Sequence, residues 1–115
     1  MFWKKYTWYK VADKDAEIAL NPNGIGTLEI EGKKICVAKF RNEWFAFAYN
    51  CPHAGGLMNE GYLDDSGNVV CPIHAYKFNL KNGYCKFPEG SRIKTYKMEN
   101  REDGLYLGIE EKKLF

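Results

Sequence analysis

The chain has 115 residues, with 17 basic and 15 acidic side chains and a net charge of +2. This length suits one domain with a single modest core, so residues 1–115 are expected to form one domain. A hydrophobic fraction of 45% argues against disorder, and the balanced charge offers no basic patch for nucleic acid. The uncharged residues 44–59 are interrupted by Pro and Gly and fall short of a membrane span. We expect a cytoplasmic domain that binds neither nucleic acid nor membrane.

Short strands dominate the pattern, and helical periodicity is confined to residues 13–20. Hairpin turns are expected at Gly32-Lys33 and at residues 100–104. Weaker strands are expected near Tyr62 and Tyr84. The clear strand signals lie at residues 8–11, 27–31, 34–40, 43–49, 69–70, 94–98 and 105–109. Roughly eight to ten short strands predict an all-β fold, an antiparallel sandwich or barrel.

Two segments interrupt this pattern, and both are rich in Gly, Pro, Asn and Ala. We call residues 51–61 loop 1 and residues 71–83 loop 2; each begins with a cysteine. Both loops are expected to project from one tip of the β scaffold. The core is expected to centre on the strands before loop 1, with these side chains facing the closing hairpin: Ile35, Val37, Trp44 and Phe47.

Each loop carries one cysteine and one histidine. Cys51 and His53 lie in loop 1, Cys71 and His74 lie in loop 2, and residues 54–70 separate the two pairs. The chain has only two histidines, so both belong to this pattern. Thiolates suit iron–sulfur clusters and zinc, and imidazole suits zinc or iron. The pattern therefore predicts a metal centre, and a Cys₂His₂ zinc site is the alternative to an iron–sulfur cluster.

The residues around these four carry a family resemblance. Loop 1 reads Cys-Pro-His-Ala-Gly-Gly-Leu, and loop 2 reads Cys-Pro-Ile-His-Ala-Tyr-Lys-Phe-Asn. An early Trp-Tyr-Lys-Val, Pro88 and a closing Asp-Gly-Leu-Tyr-Leu extend the match over nearly the whole chain. The chain thus resembles the Rieske family, and most closely the soluble ferredoxins of bacterial oxygenase systems. The resemblance implies one 2Fe–2S cluster at an exposed tip, with Cys51, His53, Cys71 and His74 as its ligands.

The same resemblance implies an electron carrier without catalytic residues. Its partners would be redox proteins, with a flavin reductase as donor and a terminal oxygenase as acceptor, and the free protein would be a monomer. An oxygenase would need a further iron site with two histidines and a carboxylate, and both histidines are already used. The alternative is a small subunit or accessory redox module of a larger enzyme, such as nitrite reductase.

Departures from other Rieske proteins refine this expectation. Gly56 and Ile73 stand where the proteins of cytochrome complexes carry two disulfide-forming cysteines, so no loop disulfide is expected. Tyr76 and Phe78 stand where those proteins have a Ser and a Tyr that donate hydrogen bonds toward cluster sulfurs. Because such hydrogen bonds stabilise the reduced cluster, we expect a low midpoint potential, on the order of −150 mV.

The remaining expectations concern apolar residues and the other thiols. Cys36 and Cys85 are expected to be buried thiols outside the metal centre, with a disulfide between them as the alternative. The apolar residues of the loop tips are expected to be exposed and to form the docking surface for redox partners: Pro52, Leu57, Met58 and Ile73.

Overall fold

The structure is a computed structural model and describes residues 5–52, 55–85 and 90–111. These residues form eleven strands and two short 3₁₀ turns. The strands are β1 (Tyr6–Ala12), β2 (Ile25–Ile30), β3 (Lys33–Phe40), β4 (Glu43–Ala48), β5 (Tyr62–Leu63), β6 (Asn68–Val70), β7 (Lys77–Asn79), β8 (Tyr84–Cys85), β9 (Ser91–Arg92), β10 (Thr95–Arg101) and β11 (Gly104–Glu110). The 3₁₀ turns are η1 (Asp15–Glu17) and η2 (Met58–Glu60). The predicted all-β architecture is confirmed. Within the described ranges, no helix has the length and apolar character needed to cross a membrane.

The strands form two antiparallel sheets. The large sheet has six strands in the order β1-β11-β10-β4-β3-β2. The small sheet has five strands in the order β5-β6-β7-β8-β9. It includes β5, which follows Cys51 in the chain, and β7, which follows Cys71 and His74. Chain connections leave the large sheet after β4 and return to it at β10. The small sheet is therefore an insertion between two neighbouring strands of the large sheet, because β4 and β10 pair directly.

Tight turns with positive backbone φ set the register of the large sheet. Glu31 and Gly32 join β2 to β3 with φ values of 53° and 75°, and Arg41 and Asn42 join β3 to β4 with 50° and 65°. Two successive left-handed residues match the twist of a hairpin, at a cost in strain for the non-glycine positions. The first turn therefore lies one residue before the predicted Gly32-Lys33.

The closing hairpin is longer than predicted. Strand β10 continues to Arg101, which pairs with Gly104 at the start of β11, and only two residues remain for the turn. The predicted turn over residues 100–104 is therefore too wide. Two further strands, β7 and β9, were not predicted. Strand β7 lies inside loop 2, the second of the segments predicted as loops. The helical candidate at residues 13–20 reduces to the single 3₁₀ turn η1.

Two hydrophobic clusters lie on opposite faces of β3 and β4. One, which we call the barrel core, lies inside the curled large sheet and contains Ile35, Val37, Trp44, Ala46, Leu105 and Leu107. The other, which we call the shared core, lies between the large and small sheets and contains Cys36, Phe45, Phe47, Met58, Val69, Phe78 and Leu80. Three of the four predicted core residues lie in the barrel core. The prediction that Phe47 packs against the closing hairpin was wrong. Side chains alternate between the two faces of a strand, and since Ala46 lies in the barrel core, Phe47 lies in the shared core.

Candidate functional site

The two loops are closed at their bases by the same hydrogen bond. The backbone N–H of Cys51 donates to the carbonyl of Gly56 at 2.8 Å. The N–H of Cys71 donates to the carbonyl of Tyr76 at 2.9 Å. In both loops a cysteine amide thus reaches the carbonyl five residues later. This repeated closure places each candidate cysteine at an equivalent position at the base of its loop, although the loops differ in sequence.

Small residues allow the two loops to approach each other. A side chain at Gly61 would overlap the carbonyl oxygen of Val70, the residue before Cys71. A Cβ atom at Gly56 would lie 3.0 Å from Cδ1 of Ile73 and 3.4 Å from Sγ of Cys71. Positions 56 and 73 therefore face each other, and a glycine here leaves room for the isoleucine. The loops are held side by side with the thiol of Cys71 between them.

The two cysteines of the loops form a buried pair. Cys51 is 3% exposed and Cys71 is 1% exposed, so both thiols are shielded from water. Burial raises the pKa of the Cys71 thiol, and the neighbouring Cys51 thiol raises it further. The backbone N–H of Ile73 donates toward Cys71 and opposes this shift by favouring the thiolate. The pair is thus a water-excluded set of soft ligands whose negative charge needs a positive partner such as a metal.

His74 lies at the exposed tip of loop 2. Its φ is 65° and that of Ala75 is 54°, so two successive non-glycine residues adopt the left-handed conformation. Such strain persists only where surrounding contacts impose it, and it often marks a functional site. The ring of His74 lies 5.9 Å from the ring of Tyr76, between centroids. The fourth predicted ligand, His53, lies outside the described residues.

The three described candidates differ in exposure, because the two cysteines are buried and His74 is exposed. Across residues 5–52, 55–85 and 90–111, no three His, Cys, Asp or Glu side chains are grouped as ligands of one ion. A tetrahedral zinc site would require Cys51, Cys71 and His74 around the same ion. A Rieske centre instead places two cysteines on one iron and two histidines on the other. A buried cysteine pair with a histidine at an exposed tip fits the second arrangement.

Asn21, which the sequence analysis did not single out, connects loop 1 to the large sheet. Its Nδ2 donates to the carbonyl of Asn59 at 2.7 Å, and its Oδ1 accepts from the N–H of Ile25 at 3.0 Å. One side chain thus joins η2 to the start of β2. The sequence Asn-Pro-Asn-Gly indicates a turn at this position, but nothing in it shows a contact 38 residues away.

The apolar residues of the loops differ in exposure. Pro52 is exposed, Ile73 is 41% exposed and Leu57 is half-buried, as expected for residues near a tip. Met58 is completely buried, so its assignment to an exposed docking surface was wrong. The reason is local: Met58 begins the 3₁₀ turn η2, and this turn directs its side chain into the shared core.

The other two thiols belong to that core. Cys36 and Cys85 are buried and free, as are Cys51 and Cys71. Burial raises the pKa of Cys36 to about 12, so this thiol stays protonated at neutral pH. The core positions expected for Cys36 and Cys85 are confirmed.

Comparisons with known proteins agree with this arrangement. Residues 7–97 match the family model of the Rieske [2Fe-2S] domain. The 3-phenylpropionate/cinnamic acid dioxygenase ferredoxin subunit of Photorhabdus laumondii is 31% identical over 78 residues, which cover 67% of this chain and 74% of that protein. A complex of reduced oxygenase and oxidised ferredoxin in carbazole 1,9a-dioxygenase contains a chain with a TM-score of 0.73 and 24% identity, matched over 93% of this chain and 97% of that one.

A further structural neighbour comes from a different enzyme system. It is described as the putative NADH-dependent nitrite reductase small subunit from Mycobacterium tuberculosis, with a TM-score of 0.77 and 19% identity over 91% of this chain and 96% of that one. At such identities, both structural likenesses show the fold alone.

The fold and site define a two-sheet β protein with a buried cysteine pair between two matched loops. This chain belongs to the Rieske [2Fe-2S] family, whose domain binds one 2Fe–2S cluster. The described residues fit that group: they supply two soft, water-excluded thiols, an imidazole at a neighbouring tip and a backbone N–H directed at sulfur.

Proposed function

We propose that this chain is a ferredoxin that carries single electrons between a flavin reductase and a terminal oxygenase. The observation that supports this most strongly is the buried Cys51 and Cys71 pair in a Rieske domain. The relative from Photorhabdus laumondii is a ferredoxin subunit of a dioxygenase, and the carbazole 1,9a-dioxygenase ferredoxin was solved in complex with its oxygenase. We extend these roles to this chain and assign it no catalytic residue.

The proposed ligands are Cys51 and Cys71 for one iron and His53 and His74 for the other. When bound, the cluster supplies a one-electron couple. The cysteine pair is held by the backbone closures of both loops and is shielded from water. His74 lies at the exposed tip, so it would face a partner and provide the shortest route to the protein surface.

We also propose that residues 1–115 form one domain that resides in the cytoplasm. The shared core takes side chains from both sheets, which supports a single domain. All four cysteines are free thiols, which suits a reducing compartment. A permanent subunit of a larger enzyme is the competing function, but its structural neighbour supports the fold only.

The test combines four measurements on the purified protein: its optical spectrum, its EPR spectrum, its iron content and its midpoint potential. We expect two irons per chain, the g values of a Rieske centre and reversible one-electron reduction. The Cys71→Ser variant should lose these signals. A colourless zinc protein, or an intact cluster in Cys71→Ser, would refute the proposal. If the protein is a monomer that an added reductase can reduce, the result supports the electron-carrier function. If the protein can be isolated only within a stable complex, the result supports a permanent subunit of a larger enzyme.

A further inference from the structure

An open cleft lies on the outer face of the small sheet, beside loop 2. Its volume is about 610 Å³, and its walls come from the turn before β6, from β7 and the turn after it, and from the start of β8. The side chains that matter here are Lys77, Asn79, Asn82 and Tyr84, which we call the donor cleft. Ala75 also lines it, so the cleft begins one residue after His74.

Hydrogen bonds fix the two asparagines with their donors available. Oδ1 of Asn79 accepts from the N–H of Lys81 at 2.9 Å, and Oδ1 of Asn82 accepts from the N–H of Tyr84 at 2.9 Å. Each amide oxygen is thus used by the backbone. No acceptor within the described residues takes the Nδ2 donors of Asn79 or Asn82. The cleft therefore presents amide N–H groups that no acceptor among the described residues uses.

Positive charge adds to these donors. Lys77 has a side chain that is 61% exposed and lies 3.8 Å from the carboxylate of Asp64. Asp64 is the acidic group that faces this lysine, but its oxygens already accept hydrogen bonds from Ser66 and Asn68. The ion pair between Asp64 and Lys77 is weak, because the two charged groups are far apart and Lys77 is exposed to water. The ammonium group remains available to a second carboxylate.

An aromatic ring and a guanidinium complete the surface. Tyr84 is 53% exposed, and the guanidinium carbon of Arg92 lies 5.0 Å from its ring centroid. Nε of Arg92 also donates to the carbonyl of Asn82 at 3.1 Å, which holds the side chain beside the cleft. Tyr and Arg are among the residues most enriched at the energetic centres of protein interfaces. This composition indicates a protein partner in preference to a small ligand.

We propose that the donor cleft binds an acidic segment of a redox partner. Carboxylates of that segment contact Lys77, Asn79 and Asn82, and an apolar group packs on Tyr84. The contact places the partner next to His74, so it would set the distance for electron transfer. This inference rests on the proposed carrier function, and it adds that the partner surface in contact with the cleft is acidic.

The test measures electron transfer from the reduced holoprotein to two haem proteins of opposite charge. Cytochrome b5 serves as the acidic acceptor and cytochrome c as the basic one, in stopped-flow mixing at low ionic strength. In the double variant Lys77→Gln/Arg92→Gln, we expect reduction of cytochrome b5 to slow by about tenfold. Salt should abolish this difference, and reduction of cytochrome c should not slow.

The control removes the same charges from the large sheet. Nζ of Lys10 lies 2.6 Å from a carboxylate oxygen of Asp13, and the guanidinium carbon of Arg101 lies 4.9 Å from the ring centroid of Trp8, so this pair also combines a lysine beside a carboxylate with an arginine beside an aromatic ring. The variant Lys10→Gln/Arg101→Gln should change the rate with cytochrome b5 by less than about twofold, because it leaves the cleft intact. Equal slowing in both double variants would show an effect of net charge alone and would overturn the proposal.

A second measurement locates the contact directly. Carbodiimide joins carboxylates to lysines that touch them, and we expect Lys77 to be the main lysine cross-linked to cytochrome b5. Cross-links confined to lysines of the large sheet would refute the cleft. A protein that lacks a reducible cluster refutes the carrier function itself, whereas unchanged rates in variants with an intact, reversible cluster refute the donor cleft alone.

Discussion

The two sheets differ in how they are held together. Strands of the large sheet have six to eight residues, and their side chains fill the barrel core. Strands of the small sheet have two or three residues, too few to form a stable unit in water by themselves. The small sheet therefore depends on the shared core and on the contacts between its loops. Loop 1, loop 2 and the candidate ligands are all attached to this weaker half.

This difference has a functional consequence. A sheet of long strands can remain folded without a bound group. A sheet of short strands is stabilised by any group that binds both of its loops in the folded state. Changes in the barrel core should therefore alter stability alone. Changes in the shared core should alter stability and the retention of the cluster together.

A charge placed where the two halves meet should have the largest effect. Met58 is fully buried in the shared core, so Met58→Glu would bury an unpaired carboxylate. We expect a loss of unfolding free energy on the order of 4 kcal/mol or more, with loss of the cluster. Denaturant titration and visible absorbance measure both effects.

Its neighbour provides the control. Leu57 is half-buried beside the loop tip, and Leu57→Glu should keep the cluster spectrum while it slows reduction of partners. A normal, stable holoprotein with Met58→Glu would show that loop 1 is not packed as described.

Matched leucine truncations compare the two cores. Leu107 lies in the barrel core and Leu80 in the shared core, and both are almost fully buried. Each Leu→Ala change should lower the unfolding free energy by about 2–4 kcal/mol through the cavity that it leaves. Only Leu80→Ala should also speed release of iron to a chelator. Equal release rates in the two variants would show that both halves open as one unit.

Much of the large sheet could be predicted from the sequence, because long alternating strands have a strong signal. The strands of residues 34–40 and 43–49 correspond to β3 and β4 within one residue at each end. The misplaced turn at Glu31-Gly32 arose because a glutamate at positive φ is costly and has no sequence signal. Strand β7 was missed because three residues between two turns cannot show periodicity.

The candidate site was predictable in its residues but not in its surroundings. The spacing of Cys51 and Cys71 marked them as candidate ligands, and the fold brings these two thiols together in a buried pair. The burial of Met58 and the contact between Asn21 and Asn59 depend on how the two sheets meet. Such contacts join distant parts of the chain, and a single sequence contains no record of them.

A smaller effect is expected on the redox potential alone. Phe78 is fully buried in β7, and Phe78→Tyr would place a hydroxyl where the Rieske proteins of cytochrome complexes have one. A hydrogen bond to a cluster sulfur stabilises the reduced cluster, so we expect the midpoint potential to rise from its low value by a shift on the order of tens of millivolts. Protein-film voltammetry measures this shift. Phe45→Tyr, on the large-sheet side of the shared core, should leave the potential unchanged, and a clearly positive midpoint in the unmodified protein would contradict the low-potential assignment.

The smallest effect concerns acid stability, and it again separates the two sheets. Burial opposes ionisation of Asp64, but hydrogen bonds from Asn68 and Ser66 outweigh it and lower the pKa of this carboxyl below 3.8. A lowered folded-state pKa stabilises the fold above the unfolded-state value, and this contribution disappears as the pH falls through the folded-state value. At pH 7, Asp64→Asn should therefore cost about 0.5–1 kcal/mol, and the difference should vanish near the acid limit of folding.

Asp15, which contacts Lys39 of the large sheet, provides the comparison. A hydrogen bond from Lys39 lowers the pKa of the Asp15 carboxyl, and Asp15→Asn should show the same direction of pH dependence. Asp15 lies in η1, away from the loops, so its loss should not change the rate at which iron is released to a chelator. Asp64 lies in the turn between β5 and β6, so its loss should speed that release slightly as the pH rises above 4. Identical release rates in the two variants would show that the turn of the small sheet does not contribute to holding the cluster.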